Sequence, residues 1–237
     1  MDNILNSPIT IEEIKNVVKG LKNGKSSGID GVINEHIKYT IDDMIHIYVL
    51  LFNIILDKGI IPESWGKGIL IPIFKNKGSK SDPNSYRGVT LNSCINKMFS
   101  AVLNNRLTKF SNGFELITNA QAGFRKGFST NDNIIFILHA LISIYFSFGK
   151  KLFGSFIDFK SAFDTVWRIG LWQKMQKSNV QGKVCKLINC MYQNIKTCIR
   201  KGNAYSEFFN CEIVIKQVED LSPYLFSLYL NDLNFFL

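Results

Sequence analysis

Cysteine is sparse and irregular in this chain of 237 residues: Cys94, Cys185, Cys190, Cys198 and Cys211 are odd in number and show no CxxC or Cys/His ligand spacing. That pattern excludes a disulfide framework, gives no zinc site, and fits core thiols in a reducing, intracellular compartment, nuclear or cytoplasmic. The first residues hold no basic stretch followed by an apolar run, so no secretory signal is visible. Long apolar runs are lacking too. The richest, residues 133–148, is about 16 residues long, contains His139, and falls short of the ~20 needed to span a bilayer. It reads as a buried helix, and no membrane partner is expected. Repeats and low-complexity linkers are also missing.

Acidic residues are scarce in two particular places. The chain carries a net charge of +9. Residues 65–109 hold eight basic residues against one acidic, and residues 150–201 eleven against two, whereas residues 1–64 and 202–237 are net acidic. Two basic segments between acidic ends suit a groove that tracks phosphates, and equally a solvated basic face. With 46% hydrophobic residues the chain has enough apolar material for a sizeable core.

Thr10-Ile11-Glu12-Glu13 is a capping box, and the helix it opens is expected to run to Gly24. Lys25 to Gly31 is a loop whose glycines permit φ > 0, a plain connector or a phosphate cradle without P-loop spacing. A second helix is expected from Asp42 to Gly59, then a buried strand from Gly68 to Phe74. Residues 75–85 form a polar loop rich in lysine and turn-forming residues, and Tyr86 to Leu91 returns as a strand. Such a hairpin suits closure over phosphates, and equally a solubilising surface loop. Asn92 to Phe110 is an amphipathic helix. Gln121 to Thr130 combines glycine, arginine and phenylalanine, fit to stack bases or to pack as core aromatics.

Lys151 to Asp158 reads as a short buried strand delivering the Asp158 carboxylate at its end, followed by a turn with Phe163 and Asp164. Asp158 is then a metal-facing acid or a solvated cap of the next helical turn. Helices are expected over residues 168–176 and 181–193, a hairpin of residues 197–201 and 207–215 turned at Gly202-Asn203, and a last helix after Pro223.

In order, these segments resemble the reverse transcriptase domain of non-LTR (LINE-type) retrotransposons over nearly the whole chain. The resemblance is carried by Lys25 to Gly31, by Ile71-Pro72-Ile73-Phe74-Lys75 with Asp82 to Arg87, and by Gln121-Ala122-Gly123-Phe124-Arg125 with Ser129-Thr130 and Asp132. It continues through Phe156-Ile157-Asp158 with Ala162-Phe163-Asp164, and Gln217 with Leu221-Ser222-Pro223 and Leu225-Phe226. It implies an α+β right-hand polymerase fold: N-terminal helices in residues 1–60 leading into fingers in 61–150, an incomplete palm in 151–237, and no thumb. The implied chemistry is RNA-templated DNA synthesis, with RNA template, DNA primer and dNTP as partners. Asp158 would be catalytic and hold Mg²⁺ with the backbone carbonyl of Phe159 as a further ligand. Lys75 and Arg87 would hold the triphosphate, Phe163 would crowd the sugar 2′ position, and Gln217 would line the nucleotide pocket. Asp164 would be structural.

Two departures mark this chain. The family's aromatic-Ala-Asp-Asp turn is absent from the 14 residues after Pro223, and Gln-Gly is replaced by Gln217-Val218. One aspartate does not hold two Mg²⁺ ions ~3.5–4 Å apart. The chain is therefore expected to be truncated before the second acidic motif and inactive by itself, with an unpaired palm edge and marginal stability. The alternative is a non-enzymatic nucleic-acid-binding remnant of a retrotransposon.

Overall fold

The capping box forms as the sequence suggests: the Glu13 N–H donates to Thr10 Oγ1 at 3.3 Å and the Thr10 N–H to Glu13 Oε2 at 2.9 Å. A computed structural model describes residues 3–129, 131, 135, 138–159, 162–163, 165–211 and 220–233. A first turn, α1 (Asn3–Asn6), precedes α2 (Ile11–Gly20), which buries Ile14, Val17 and Val18. This helix stops before the expected Gly24. Its next carbonyls are taken from outside, Leu21 O by Lys38 Nζ and Lys22 O by Asn34 Nδ2.

Both of those donors belong to α3 (Asn34–Lys58), which starts two turns ahead of the Asp42 expected from sequence. Ile37 is buried and Ile41 packs against the core, so the apolar face extends back past the two aspartates. Gly59 closes the helix with φ +66 and an N–H bond to Ile55 O at 2.9 Å. At 25 residues α3 is long and apolar enough to cross a membrane by length and composition, although Tyr48, Phe52, Ile55 and Leu56 face the core here.

After α4 (Glu63–Gly66) come β1 (Lys67–Phe74) and β2 (Tyr86–Leu91), antiparallel in a register running from Ile69↔Leu91 to Phe74↔Tyr86. Helix α5 (Cys94–Gly113) supplies Met98, Phe99, Val102, Leu103 and Leu107 to the core. Phe52, Trp65 and Phe99 form an aromatic knot at its centre, with Phe52 and Phe99 centroids 4.9 Å apart.

Arg106 is the buried charge of this core. Its Nε and Nη2 meet both Glu13 oxygens at 2.6 and 2.7 Å, while Nη1 and Nη2 donate to the carbonyls of Leu5, Ser7 and Pro8. Every direction of the guanidinium fork is used, and the N-terminal segment is thereby sewn onto α5.

The Lys25 to Gly31 loop reaches the start of α5. A Cβ on Gly28 would lie 2.5 Å from the Asn92 carbonyl carbon and 2.6 Å from the Ser93 nitrogen. Close backbone approach, rather than the φ > 0 expected from sequence, is what requires glycine here; Gly31 is the residue with φ +69. Gly28→Ala is expected to cost about 2 kcal/mol through overpacking against rigid backbone, read as a lower urea midpoint at unchanged m-value.

Helix α6 (His139–Ser147) buries none of its residues, and Phe146 is 75% exposed. It corrects the buried helix read from its composition: apolar content alone gave no partner surface to bury against. Residues 151–158 correct a second expectation. They form no strand, and Phe153 and Phe156 are 89% and 87% exposed. A strand exists only where a neighbouring backbone completes its ladder, and no described segment pairs with this one.

Helices α7 (Arg168–Lys177) and α8 (Gly182–Met191) follow, then β3 (Lys196–Lys201) beside β4 (Ala204–Tyr205) and β5 (Phe209–Asn210). The second hairpin turns at residues 202–203 as expected, but its return is broken in two. The cause is Ser206, whose Oγ accepts from the Ile199 N–H at 2.9 Å and donates to Glu207 O at 2.8 Å. The expected strand continuation over 212–215 lies outside the described residues. The sheet runs β2-β1-β3-β4, with β3 parallel to β1 from Lys67↔Lys196 to Leu70↔Ile199 and β5 also on β3.

Last comes α9 (Leu221–Leu230), held from two sides. Lys174 of α7 donates to Tyr229 O and meets Asp232 Oδ1 at 2.5 Å. Asn231 exchanges bonds with Leu116 O at 2.7 Å and the Thr118 N–H at 2.9 Å. The result is a mixed α+β fold.

Candidate nucleotide-binding site

The buried ring of Phe226 on α9 gathers three rings from two segments far apart in sequence. Phe163 lies 5.0 Å from it, Phe159 meets it edge-on at 6.2 Å, and Phe124 edge-on at 6.5 Å, with Phe124 and Phe163 6.0 Å apart. Edge-to-face rings of this kind add roughly 0.5–1.5 kcal/mol per pair beyond burial. Phe124 adopts φ +61, a left-handed conformation costing about 1–2 kcal/mol for a residue with a Cβ, which its ring contacts offset.

In the 121–128 loop, Arg125 caps its own neighbourhood. Its Nη1 donates to Thr118 O at 3.1 Å and Gln121 O at 3.3 Å, and its guanidinium lies 4.3 Å from the Phe128 ring centre. Phe124 and Phe128 make these ring contacts while remaining 62% and 41% exposed, so neither is a core aromatic among the described residues.

Asp158 is exposed and directly precedes Phe159, whose ring meets Phe226. Phe163 is half-buried in the cluster, and Phe159 more exposed. Lys75 and Arg87 lie on the β1–β2 hairpin. Arg87 pairs with Ile73 in register, and Lys75 follows two residues after Ile73, so both cations share one face. Lys75 Nζ donates to Asn84 O at 3.0 Å, and the loop is tied by Asp82 to the Asn84 N–H at 2.9 Å and by the Tyr86 hydroxyl to Lys80 O at 2.9 Å. The structure thus brings Phe159 and Phe163 together beside Asp158, and brings Lys75 beside Arg87. No hydrogen bond or ion pair among the described residues joins the two groups. Gln217 and Asp164 lie outside the described residues, as do Thr130, Asp132 and Val218.

A two-ion metal site needs several oxygen donors converging on one place. Among the described residues no three His, Cys, Asp or Glu side chains gather at one place, and Asp158 stands as the one acid of residues 150–159. That set does not fit a two-ion centre. Asp232, just after α9, is already paired with Lys174. All five cysteines are free thiols, with burial pushing those of Cys94 and Cys185 up.

Sequence reasoning missed the hub. Phe226 was visible only as one letter of a motif, although phenylalanines recur in each of the motifs that converge on it. A family model described as reverse transcriptase (RNA-dependent DNA polymerase) matches residues 75–236. The chain is 30% identical over 229 residues to a probable RNA-directed DNA polymerase from transposon BS of Drosophila melanogaster, covering 95% of this chain and 25% of that protein. It is 30% identical over 231 residues to the RNA-directed DNA polymerase from mobile element jockey of Drosophila funebris, covering 95% and 24%. A probable RNA-directed DNA polymerase from transposon X-element of Drosophila melanogaster is 28% identical over 222 residues, covering 93% and 24%. The chain therefore spans about a quarter of the length of these relatives. Motif order, aromatic convergence and these similarities agree: the chain belongs to the reverse transcriptase family, in the branch of the non-LTR, LINE-type retrotransposons.

Proposed function

We propose that this chain forms the nucleotide- and template-holding part of an RNA-templated DNA polymerase that works inside the cell. Residues 1–60 lead into fingers at 61–150, and residues 151–237 begin the palm. The Phe226-centred cluster carries the reading, because it sets the Asp158 segment, the 121–128 loop and α9 against one another. Lys75 and Arg87 take the triphosphate, the ammonium as a point charge and the guanidinium as a planar fork. Phe163 screens the sugar 2′ position from the cluster's edge, and Gln217 lines the pocket. Asp158 directs its carboxylate to the reacting phosphates.

With Asp158 the one carboxylate of the site among the described residues, where a two-ion centre needs more, this chain binds RNA and nucleotide without joining nucleotides. Primer extension on an RNA template with Mg²⁺ is expected to give no product above background, and measurable incorporation overturns that part of the reading. In the same preparation, Lys75→Ala with Arg87→Ala is expected to weaken RNA binding about 10-fold and to reduce the slope of log affinity on log salt by about 1.4. Unchanged affinity and slope would remove the hairpin from the site.

A further inference from the structure

On the far side of α7 from α9 the structure holds a concave cleft of about 750 Å³, formed by the end of α3 with α7 and α8. None of its lining residues belongs to the Phe226 cluster or to the β1–β2 hairpin. Its volume falls within the roughly 300–1,000 Å³ of small-ligand sites. Three lysines, Lys58, Lys183 and Lys186, stand in its wall against one carboxylate, Asp57. Lys183 already holds Asp57 at 2.5 Å, which leaves the wall with an excess of two positive charges.

The wall also carries a flat aromatic surface. Trp172 is half-buried, tilted 48° to Tyr192 with centroids 6.0 Å apart, and contributes to the cleft lining. Gln181 and Asn189 add carboxamides: Gln181 Nε2 donates to Gln176 O at 3.4 Å and Asn189 Oδ1 accepts from Gln193 Nε2 at 3.2 Å, which leaves the Gln181 Oε1 acceptor and the Asn189 Nδ2 donors for the edge of a base. An indole for stacking, amides for edges and ammonium groups for phosphate are the three chemistries that a nucleotide presents together. An acidic peptide would use the lysines and leave the indole idle.

We propose that this cleft is a second nucleotide-binding site, stacking a base on Trp172 and holding its phosphate with Lys58 and Lys186. It goes beyond the polymerase reading, which places its nucleotide at the hairpin and the Phe226 cluster. The ligand is one nucleotide unit, free or as part of a single strand of RNA running over the outer face of α7 and α8.

The test titrates the 237-residue chain with uridine 5′-monophosphate, with single-stranded oligouridylate, and with inorganic phosphate, following tryptophan fluorescence and, for labelled oligouridylate, anisotropy. Trp172→Ala and the pair Lys58→Ala/Lys186→Ala are each expected to weaken nucleotide binding on the order of 10-fold. Trp172→Phe is expected to keep the affinity while abolishing the fluorescence response, which separates stacking from loss of fold. Tighter binding of oligouridylate than of the monophosphate identifies a strand as the ligand, and equal binding a free nucleotide. The proposal is overturned if the lysine pair and Trp172→Phe leave both affinity and fluorescence response as in the parent, or if inorganic phosphate competes as well as the monophosphate. The Lys75→Ala/Arg87→Ala variant is expected to retain the Trp172 response, so failure of the hairpin site and failure of this one remain distinguishable.

Discussion

Arg106→Ala is expected to lower stability by about 3–5 kcal/mol, the cost of breaking a largely buried ion pair and leaving its acceptors without a donor. Removing the guanidinium takes the donor from the half-buried Glu13 carboxylate and from the carbonyls of Leu5, Ser7 and Pro8, of which that of Leu5 is fully buried. For a chain of this size the shift in melting temperature is roughly 6–20 °C. Arg106→Lys is expected to rescue little, because a point charge cannot meet two carboxylate oxygens and three carbonyls at once.

The same clamp sets an acid limit. Burial pushes the Glu13 carboxyl up, but hydrogen bonds and charge from Arg106, with further bonds from Thr10, outweigh it and hold the group below its ordinary value of 4.5. A carboxyl whose pKa is depressed by folding contributes stability that is complete above its unfolded value and is lost as pH falls through the folded one. Denaturant midpoints of the parent are therefore expected to drop as pH falls below about 4.5, with Arg106→Ala losing that part of the acid sensitivity. A variant within 1 kcal/mol of the parent at neutral pH would show the clamp to be energetically idle.

Phe226→Ala carries the second large effect, about 3–5 kcal/mol for deleting a buried phenyl. Its local consequence is more telling. Three rings lose their common partner, so the 121–128 loop, the segment after Asp158 and Phe163 are no longer held to α9. Limited proteolysis is expected to speed up within residues 121–128 and 151–159, and RNA binding to weaken beyond what the loss of folded protein explains. Phe226→Leu, which keeps much of the volume, is expected to recover most of the stability but less of the protection. Equal cleavage rates in parent and Phe226→Ala would deny the ring its role as hub.

Local signals in the sequence were legible because their physics is local. The Thr10–Glu13 capping box and Gly59 as a helix stop depend on residues a few positions apart, and the β1–β2 hairpin on two consecutive segments joined by one turn-rich loop. What eluded reading acts at long range. Glu13 is plain as a capping residue, yet nothing near it announces a partner 93 residues away. Phe153 and Phe156 read as core because they are apolar, whereas burial needs a facing surface that the described residues do not provide. The candidate site divides the same way. The order of its motifs was visible, but the meeting of Phe124, Phe159 and Phe163 on one ring was not.

The parallel pairing of β1 with β3 bears on how the molecule is made. Lys67 must find Lys196, and ribosomes add about 5–20 residues per second, so roughly 6–26 s of translation separate the two strands. Throughout that interval the hairpin of β1 and β2 leaves the ribosome with one flank of hydrogen-bonding groups unmet. Nascent chains are therefore most exposed to chaperone capture, and to pairing with a neighbour on the same message, after β2 has emerged and before β3 arrives.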